Sequence, residues 1–211
     1  MNATSTYYRN CRWDVLELLG DDVGRVLDVG CGEGATGAEL LRTGRAARVD
    51  GIELVPAAAE EARHQYRTVA VGDLDRVDRS ALDGDYDTMM CNDVLEHVAD
   101  PWSVLRTLTE EHVRPGGTVI VSIPNVQCIE VVAPLLGGRF EYCEDGVLDR
   151  THLRFFTRSS GRKLVRAAGL MIEAEAAGRV GAGRGRATQL VGSALGPFGV
   201  RQLLYRARHR V

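Results

Sequence analysis

From Arg25 to Ile172 short apolar runs alternate with stretches of helical spacing. Val26, Leu27 and Val29 read as a buried strand, and Ala35 to Leu41 as the helix that follows it. Ala47–Glu53 predicts a second strand. Pro56 opens the next helix, in a first turn that has no use for its missing N–H. Thr68–Gly72, Tyr86–Cys91 and Thr118–Ile123 predict strands three to five, the fifth largely β-branched and apolar, as in a strand covered on both faces. Between the fourth and fifth lie a helix over Pro101–Val113 and a turn at Pro115-Gly-Gly117. Cys11–Leu19 predicts a short amphipathic helix ahead of the first strand, and Thr157–Ala168 a late helix with Gly169 at its C′ position. Strands over Leu170–Ala174 and Gln202–Arg208 follow, the latter expected as an antiparallel edge strand, while Gly178 to Gly196 is Gly-rich and unpatterned. The expected architecture is α/β: one domain over 1–211, a mostly parallel seven-stranded sheet with an antiparallel last strand, and helices on both faces. Residues 124–156 interrupt the rhythm, with turn signals at Gly137-Gly-Arg-Phe140 and Glu144-Asp-Gly146. They predict a lid insertion above the strand ends, where loops carry specificity.

Composition narrows this picture. A chain of 211 residues with 45% apolar content is long enough for a sizeable core. No apolar run approaches the roughly 20 residues that span a bilayer, and Met1–Asn10 lacks the apolar centre of a signal peptide. The five cysteines are odd in number and show no C-x-x-C spacing, which reads as reduced thiols in the cytoplasm, neither a disulfide framework nor a zinc site. A net charge of −3 disfavours nucleic acid as a partner. No acidic residue follows Glu175, and the arginines beyond it read as a solvated basic end. A homodimer is the first expectation for assembly.

Val26-Leu-Asp-Val-Gly-Cys-Gly-Glu-Gly34 carries the most chemistry. Gly30, Gly32 and Gly34 follow a strand and open a helix, so the backbone turns tightly and the helix N–H groups face a ligand crevice. A turn of this kind serves more than one cofactor. Gly32-Glu-Gly-Ala-Thr-Gly37 satisfies the dinucleotide fingerprint, with Glu53 at about the expected distance, and a glycine-rich turn without a ligand is a further reading. Asp28 argues for a cationic ligand, since a carboxylate there repels a pyrophosphate and attracts an ammonium or sulfonium.

That segment resembles the first motif of the class I S-adenosylmethionine-dependent methyltransferases, and the likeness extends over nearly the whole chain. The resemblance implies a Rossmann-like methyltransferase fold with S-adenosyl-L-methionine as cofactor. It places Asp28, Gly30, Gly32 and Gly34 around the methionine part, with Asn92 alongside. Glu53, followed by Leu54, falls on the ribose hydroxyls, and Gly72-Asp73-Leu74 at the adenine, Asp73 as acceptor and Leu74 as cover. Tyr7 and Tyr8 fall where the pocket closes or where aromatic side chains simply pack. Cys31 is given no chemistry.

Asn92-Asp-Val-Leu-Glu-His97 is the second informative segment. Asp93, Glu96 and His97 are spaced i, i+3, i+4, so one helical turn brings all three to a common face at the cleft mouth. Two carboxylates and an imidazole suit Mg2+. The alternative is a metal-free turn in which Glu96 and His97 orient loops or substrate. Asp149-Arg-Thr-His-Leu-Arg-Phe-Phe-Thr157 adds His152 at the end of the lid. The two segments together resemble plant small-RNA 2′-O-methyltransferases and ubiquinone-pathway O-methyltransferases, which implies Asp93, Glu96, His97 and His152 as metal ligands. Asp stands at the first position where the RNA enzymes carry Glu.

These residues lead to an O-methyltransferase in which Mg2+ activates a hydroxyl, or in which His97 or His152 acts as general base without metal. The lid signature resembles bacterial methyltransferases of saccharide and secondary-metabolite pathways, which implies a saccharide or similar polyol as substrate. Phe140, Tyr142, Phe155 and Phe156 are candidates for an apolar or sugar-stacking wall, at least two of them expected in the core. A nicotinamide-dependent reductase and a catalytically inactive partner subunit are the other readings.

Overall fold

The computed structural model describes residues 10–179 and 195–210. Tyr7 and Tyr8, and most of the unpatterned stretch before Gly196, lie outside them. In chain order the elements are α1 (Trp13–Leu18), β1 (Gly24–Val29), α2 (Ala35–Arg42), β2 (Ala46–Glu53), α3 (Pro56–Ala62), β3 (Val69–Val71) and β4 (Tyr86–Asn92). A 3-10 turn at Leu95–His97 precedes α4 (Pro101–His112), β5 (Val113–Pro124), α5 (Ile129–Leu136), α6 (Arg158–Ala167), β6 (Leu170–Arg179) and β7 (Val200–His209).

The strands form one seven-stranded sheet in the order β3-β2-β1-β4-β5-β7-β6. All pairs from β3 to β5 are parallel, and β7 runs antiparallel to both β5 and β6. The continuous apolar runs are explained by burial on two faces. Val26, Met90, Ile120 and Leu204 pack with Val15 of α1, Leu40 of α2 and Ala59 of α3. Their chain neighbours Leu27, Met89, Val119 and Leu203 pack the other way, with Leu105 of α4 and Leu164 of α6. Alternation of side chains along a strand, applied to apolar residues at consecutive positions, gives two cores.

Two expectations are corrected. The strand over 202–208 is not the edge: β7 lies between β5 and β6, with Leu203, Leu204 and Tyr205 each no more than 2% exposed. Three consecutive apolar residues need cover on both faces. The edge falls to β6, whose Glu173 and Glu175 pair with Arg208 and Arg162, charges that discourage pairing with another chain. The expected turn at Pro115-Gly-Gly117 is a bulge inside β5: Tyr86 pairs with Val113 and Thr88 with Thr118, so Arg114–Gly117 leave the ladder.

The lid contains a helix, α5, that the turn signals did not announce. It sits on a small core of its own, formed by Cys128, Val131 and Val147. The base of the lid is pinned where Asn125 bridges to Phe156 and donates from Nδ2 to the Val200 carbonyl at 2.7 Å. The parallel strands β1, β2 and β4 end on the same side as this lid, and that edge holds the site. Among the described residues, no helix is long and apolar enough to cross a membrane.

Candidate active site

At the end of β1 the chain turns through Gly30, Gly32 and Gly34 with φ of 70°, 57° and 84°. Three left-handed positions in five residues are what restrict the turn to glycine. The turn is held from β2: the Ile52 carbonyl accepts from the N–H of Gly30 and Cys31 at 2.8 and 3.1 Å. Glu53 follows at the end of that strand, buried, accepting from the N–H of Gly32 on Oε2 and of Val55 on Oε1, both at 2.8 Å. A carboxylate has lone pairs to spare after two such bonds, so Glu53 fixes the loop and keeps acceptor capacity for a ligand donor. Beside it Leu54 is 64% exposed, an apolar surface at the crevice mouth.

The other expected cofactor residues divide. Asn92 ends β4, and among the described residues its buried Oδ1 has no hydrogen-bond partner, an orphaned acceptor of the sort a ligand donor satisfies. Asp73 is exposed and accepts from Asp75 N at 3.0 Å, which leaves its second oxygen for a ligand. Leu74 is only 8% exposed and packs into the main core, so it supports this corner from beneath rather than lying open as a cover. Asp28 is also buried, 2% exposed, and its carboxylate accepts from the Tyr66 hydroxyl at 2.7 Å. The residues present fit the cofactor implied by the sequence: an acid pair, a glycine turn and an unsatisfied amide on one edge.

Above β4 the structure brings Glu96, His97 and His152 together, with one potential ligand atom from each within 4.8 Å of the others. Glu96 is 1% exposed, and among the described residues neither carboxylate oxygen has a hydrogen-bond partner. Burial, with a smaller contribution from Asp93, pushes its carboxyl well above the ordinary range. A buried unpartnered acid is costly unless a cation joins it. The two histidines are arranged to help. His152 Nδ1 lies 3.0 Å from the Val147 carbonyl, and His97 Nδ1 lies 3.3 Å from the Thr151 carbonyl. A carbonyl only accepts, so each Nδ1 carries a proton, which makes Nε2 the ring nitrogen available to a metal. Burial and the nearby His152 ring hold His97 below the usual imidazole range, in its neutral form. The donor set and the orphaned carboxylate fit a divalent cation.

Asp93 is not in this group. The segment is a 3-10 turn rather than an α-helical one, and Asp93 precedes it with φ of 53°. The i, i+3, i+4 argument therefore fails at its first member. Asp93 instead takes part in a polar knot: Arg12 and the Gln202 amide donate to its two oxygens, and Arg12 reaches Ser122 Oγ at 2.8 Å. That knot ties the entry to α1 to the ends of β4, β5 and β7.

Three residues of the site were not anticipated. Tyr66 reaches Asp28, and Thr151 and Asp149 support His97: Thr151 Oγ1 lies 3.1 Å from His97 Nδ1 and donates to Asp149 Oδ1 at 2.6 Å. The lid is fastened to the turn through Glu96, whose main-chain oxygen accepts from Leu153 and Arg154 N–H at 2.8 and 3.0 Å. Of the four candidate aromatics, Phe156 is core at 2% exposure. Phe140, Tyr142 and Phe155 form a cluster with centroid separations of 5.6 to 6.4 Å, and Phe155 lies 6.4 Å from His152. Phe140 and Tyr142 are 43% and 57% exposed, so this cluster is a surface and not a core.

Comparison with known proteins identifies the family. Residues 4–175 match a family model described as a methyltransferase domain. A ubiquinone biosynthesis O-methyltransferase of Xanthomonas euvesicatoria is 32% identical over 176 residues, 75% of this chain and 69% of the relative. One from Chromobacterium violaceum is 34% identical over 160 residues, 71% of this chain and 65% of the relative. The chain thus spans about two thirds of the length of these relatives. Among solved structures, an S-adenosylmethionine-dependent methyltransferase from Mesorhizobium loti superposes with a TM-score of 0.67 at 22% identity, covering 93% of this chain and 96% of the other. A second, from Listeria monocytogenes, gives 0.64 at 15% identity, covering 94% and 97%. The nicotinamide and inactive-subunit readings of the glycine turn are set aside, and the chain belongs to the class I S-adenosylmethionine-dependent methyltransferases.

Proposed function

We propose that this methyltransferase acts on oxygen, at a hydroxyl with a second oxygen beside it, assisted by Mg2+ or a similar divalent cation held by Glu96, His97 and His152. The observation that carries the reading is Glu96, a buried carboxylate with both oxygens unpartnered among the described residues and with a ligand atom of each of two imidazoles within 4.8 Å. A bound divalent cation lowers the pKa of a hydroxyl and offsets the charge of the acid beside it. The chain's own residues do the rest. Asp28, Glu53 and Asn92 hold the cofactor from the edge of β1, β2 and β4. His97 and His152 are fixed through Nδ1, so their Nε2 atoms are directed by the lid and not by solvent. The ring cluster of Phe140, Tyr142 and Phe155 offers a face on which a flat or ring-shaped substrate stacks.

A saccharide or similar polyol has the adjacent oxygens and a ring face for this surface. An aromatic ring diol is the second reading, supported by the ubiquinone-pathway relatives. Methyl transfer from S-adenosylmethionine to paired panels of sugar diols and catechols, with mono-hydroxyl analogues as controls, tests the proposal. Turnover of diols over their mono-hydroxyl analogues is expected. Equal turnover of both removes the role of the second oxygen.

A further inference from the structure

The glycine turn is held by a residue outside it. We infer that Tyr66 is a positioning residue for the cofactor, its hydroxyl fixing the Asp28 carboxylate and the start of α2 in the arrangement that receives the cofactor's cationic end. Gly34, the residue before α2, has no side chain with which to cap the helix. The Tyr66 oxygen does that work, accepting from Gly37 N at 3.1 Å while its proton goes to Asp28 Oδ2 at 2.7 Å. One hydroxyl thus satisfies an orphan helix N–H and a buried acid together.

The ring has a slot made for it. A Cβ on Gly37 would overlap the Tyr66 hydroxyl, and one on Gly34 or Gly51 would come within 3.1 or 3.0 Å of the ring. Gly34 and Gly37, two glycines that resemble a dinucleotide fingerprint, therefore make room for a tyrosine. Tyr66 itself is 4% exposed, so it touches the loop and not the solvent.

Among the described residues, the titratable groups around Asp28 are Tyr66 after α3, Glu53 at the end of β2, Cys31 in the turn, Cys91 on β4 and Cys11 before α1. Burial pushes the three thiols up, so they stay uncharged. Burial also raises the Asp28 carboxyl to about 7; the Tyr66 hydrogen bond works against that rise, and Glu53 adds to it. Without the hydroxyl, Asp28 is neutral over a wider range and loses its attraction for a sulfonium or ammonium.

The test is calorimetric titration of S-adenosylmethionine into the whole protein from pH 6 to 9, with Tyr66→Phe and Asp28→Asn beside wild type. Tyr66→Phe keeps the ring in its slot, and a thermal melt checks that it is folded. Wild-type affinity should rise with pH and level off above about 7. Tyr66→Phe should weaken binding about tenfold near pH 7 and move the rise to higher pH, with kcat at saturating cofactor preserved. Asp28→Asn should bind weakly and without the rise, which keeps the inference testable if Tyr66→Phe does not fold. Unchanged affinity in Tyr66→Phe overturns the inference, and so does a loss of the same size at every pH, which would reduce Tyr66 to packing. An Asp28→Asn protein that binds as wild type overturns it as well.

Discussion

His97 and His152 stand edge to face with ring centroids 4.7 Å apart, one carried by the turn after β4 and the other by the lid. They lie 55 positions apart in sequence, and Glu96 brings them together by binding lid N–H groups with its main chain while its side chain has no partner among the described residues. A buried acid left in this state lowers stability, and proteins keep such groups where function needs them.

Glu96→Gln separates the two consequences. The folded-state pKa of Glu96 is raised above its unfolded value near 4.5, so its contribution to stability is present below that value and lost as pH rises through the folded pKa. In the metal-free protein, Glu96→Gln should therefore gain in melting temperature over wild type as pH rises from 5 to 8. Methyl transfer should fall by about 100-fold or more. A constant difference between the two melting curves across that range would show that Glu96 is not held protonated.

Thr151→Val removes the hydroxyl between Asp149 and His97 while keeping the shape of the side chain. The affinity for a divalent cation should drop about 10- to 100-fold, as is usual for residues that orient a ligand histidine. S-adenosylmethionine affinity should be unchanged. Cation titration into the variant reads the first, and cofactor titration the second.

Asp93→Ala should act on the fold and not on the cation. Its carboxylate accepts from Arg12 and Gln202, and taking this charged acceptor out of a partly buried network costs about 1–3 kcal/mol. Thermal unfolding should show that loss with cation affinity retained. Lost cation binding in a protein that melts normally would return Asp93 to the ligand set.

Truncation before Gly196 takes out β7, an interior strand. Burying Leu203, Leu204 and Tyr205 is worth about 2 kcal/mol each, a large share of the roughly 5–15 kcal/mol that holds a domain together. The shortened protein should aggregate or unfold, with the flanks of β5 and β6 both unpaired. A soluble, cooperatively melting product would contradict the strand order.

Much of this architecture is legible in the chain. Val26-Leu-Asp-Val-Gly-Cys-Gly marks β1 and its turn because burial on two faces and left-handed backbone both restrict residue choice. The interior place of β7 differs from the expected edge because a strand's neighbours are settled by long-range pairing, though Leu203-Leu204-Tyr205 carries the sign of two-sided cover. Asp93 departs from the expected common face because that spacing assumes α-helical geometry, whereas a left-handed residue before a 3-10 turn meets Arg12 and Gln202 instead. Tyr66 and Thr151 left no sequence signal: each acts through a partner more than 35 positions away.

The most direct test of the account is methyl transfer to a vicinal diol measured in a metal chelator and again after Mg2+ is returned, with wild type, Glu96→Gln and His152→Ala in parallel. Wild type should lose activity in chelator and recover it, and both variants should stay inactive while still binding S-adenosylmethionine. Full wild-type activity in chelator, with His152→Ala inactive, would make the histidine a general base and contradict the cation site.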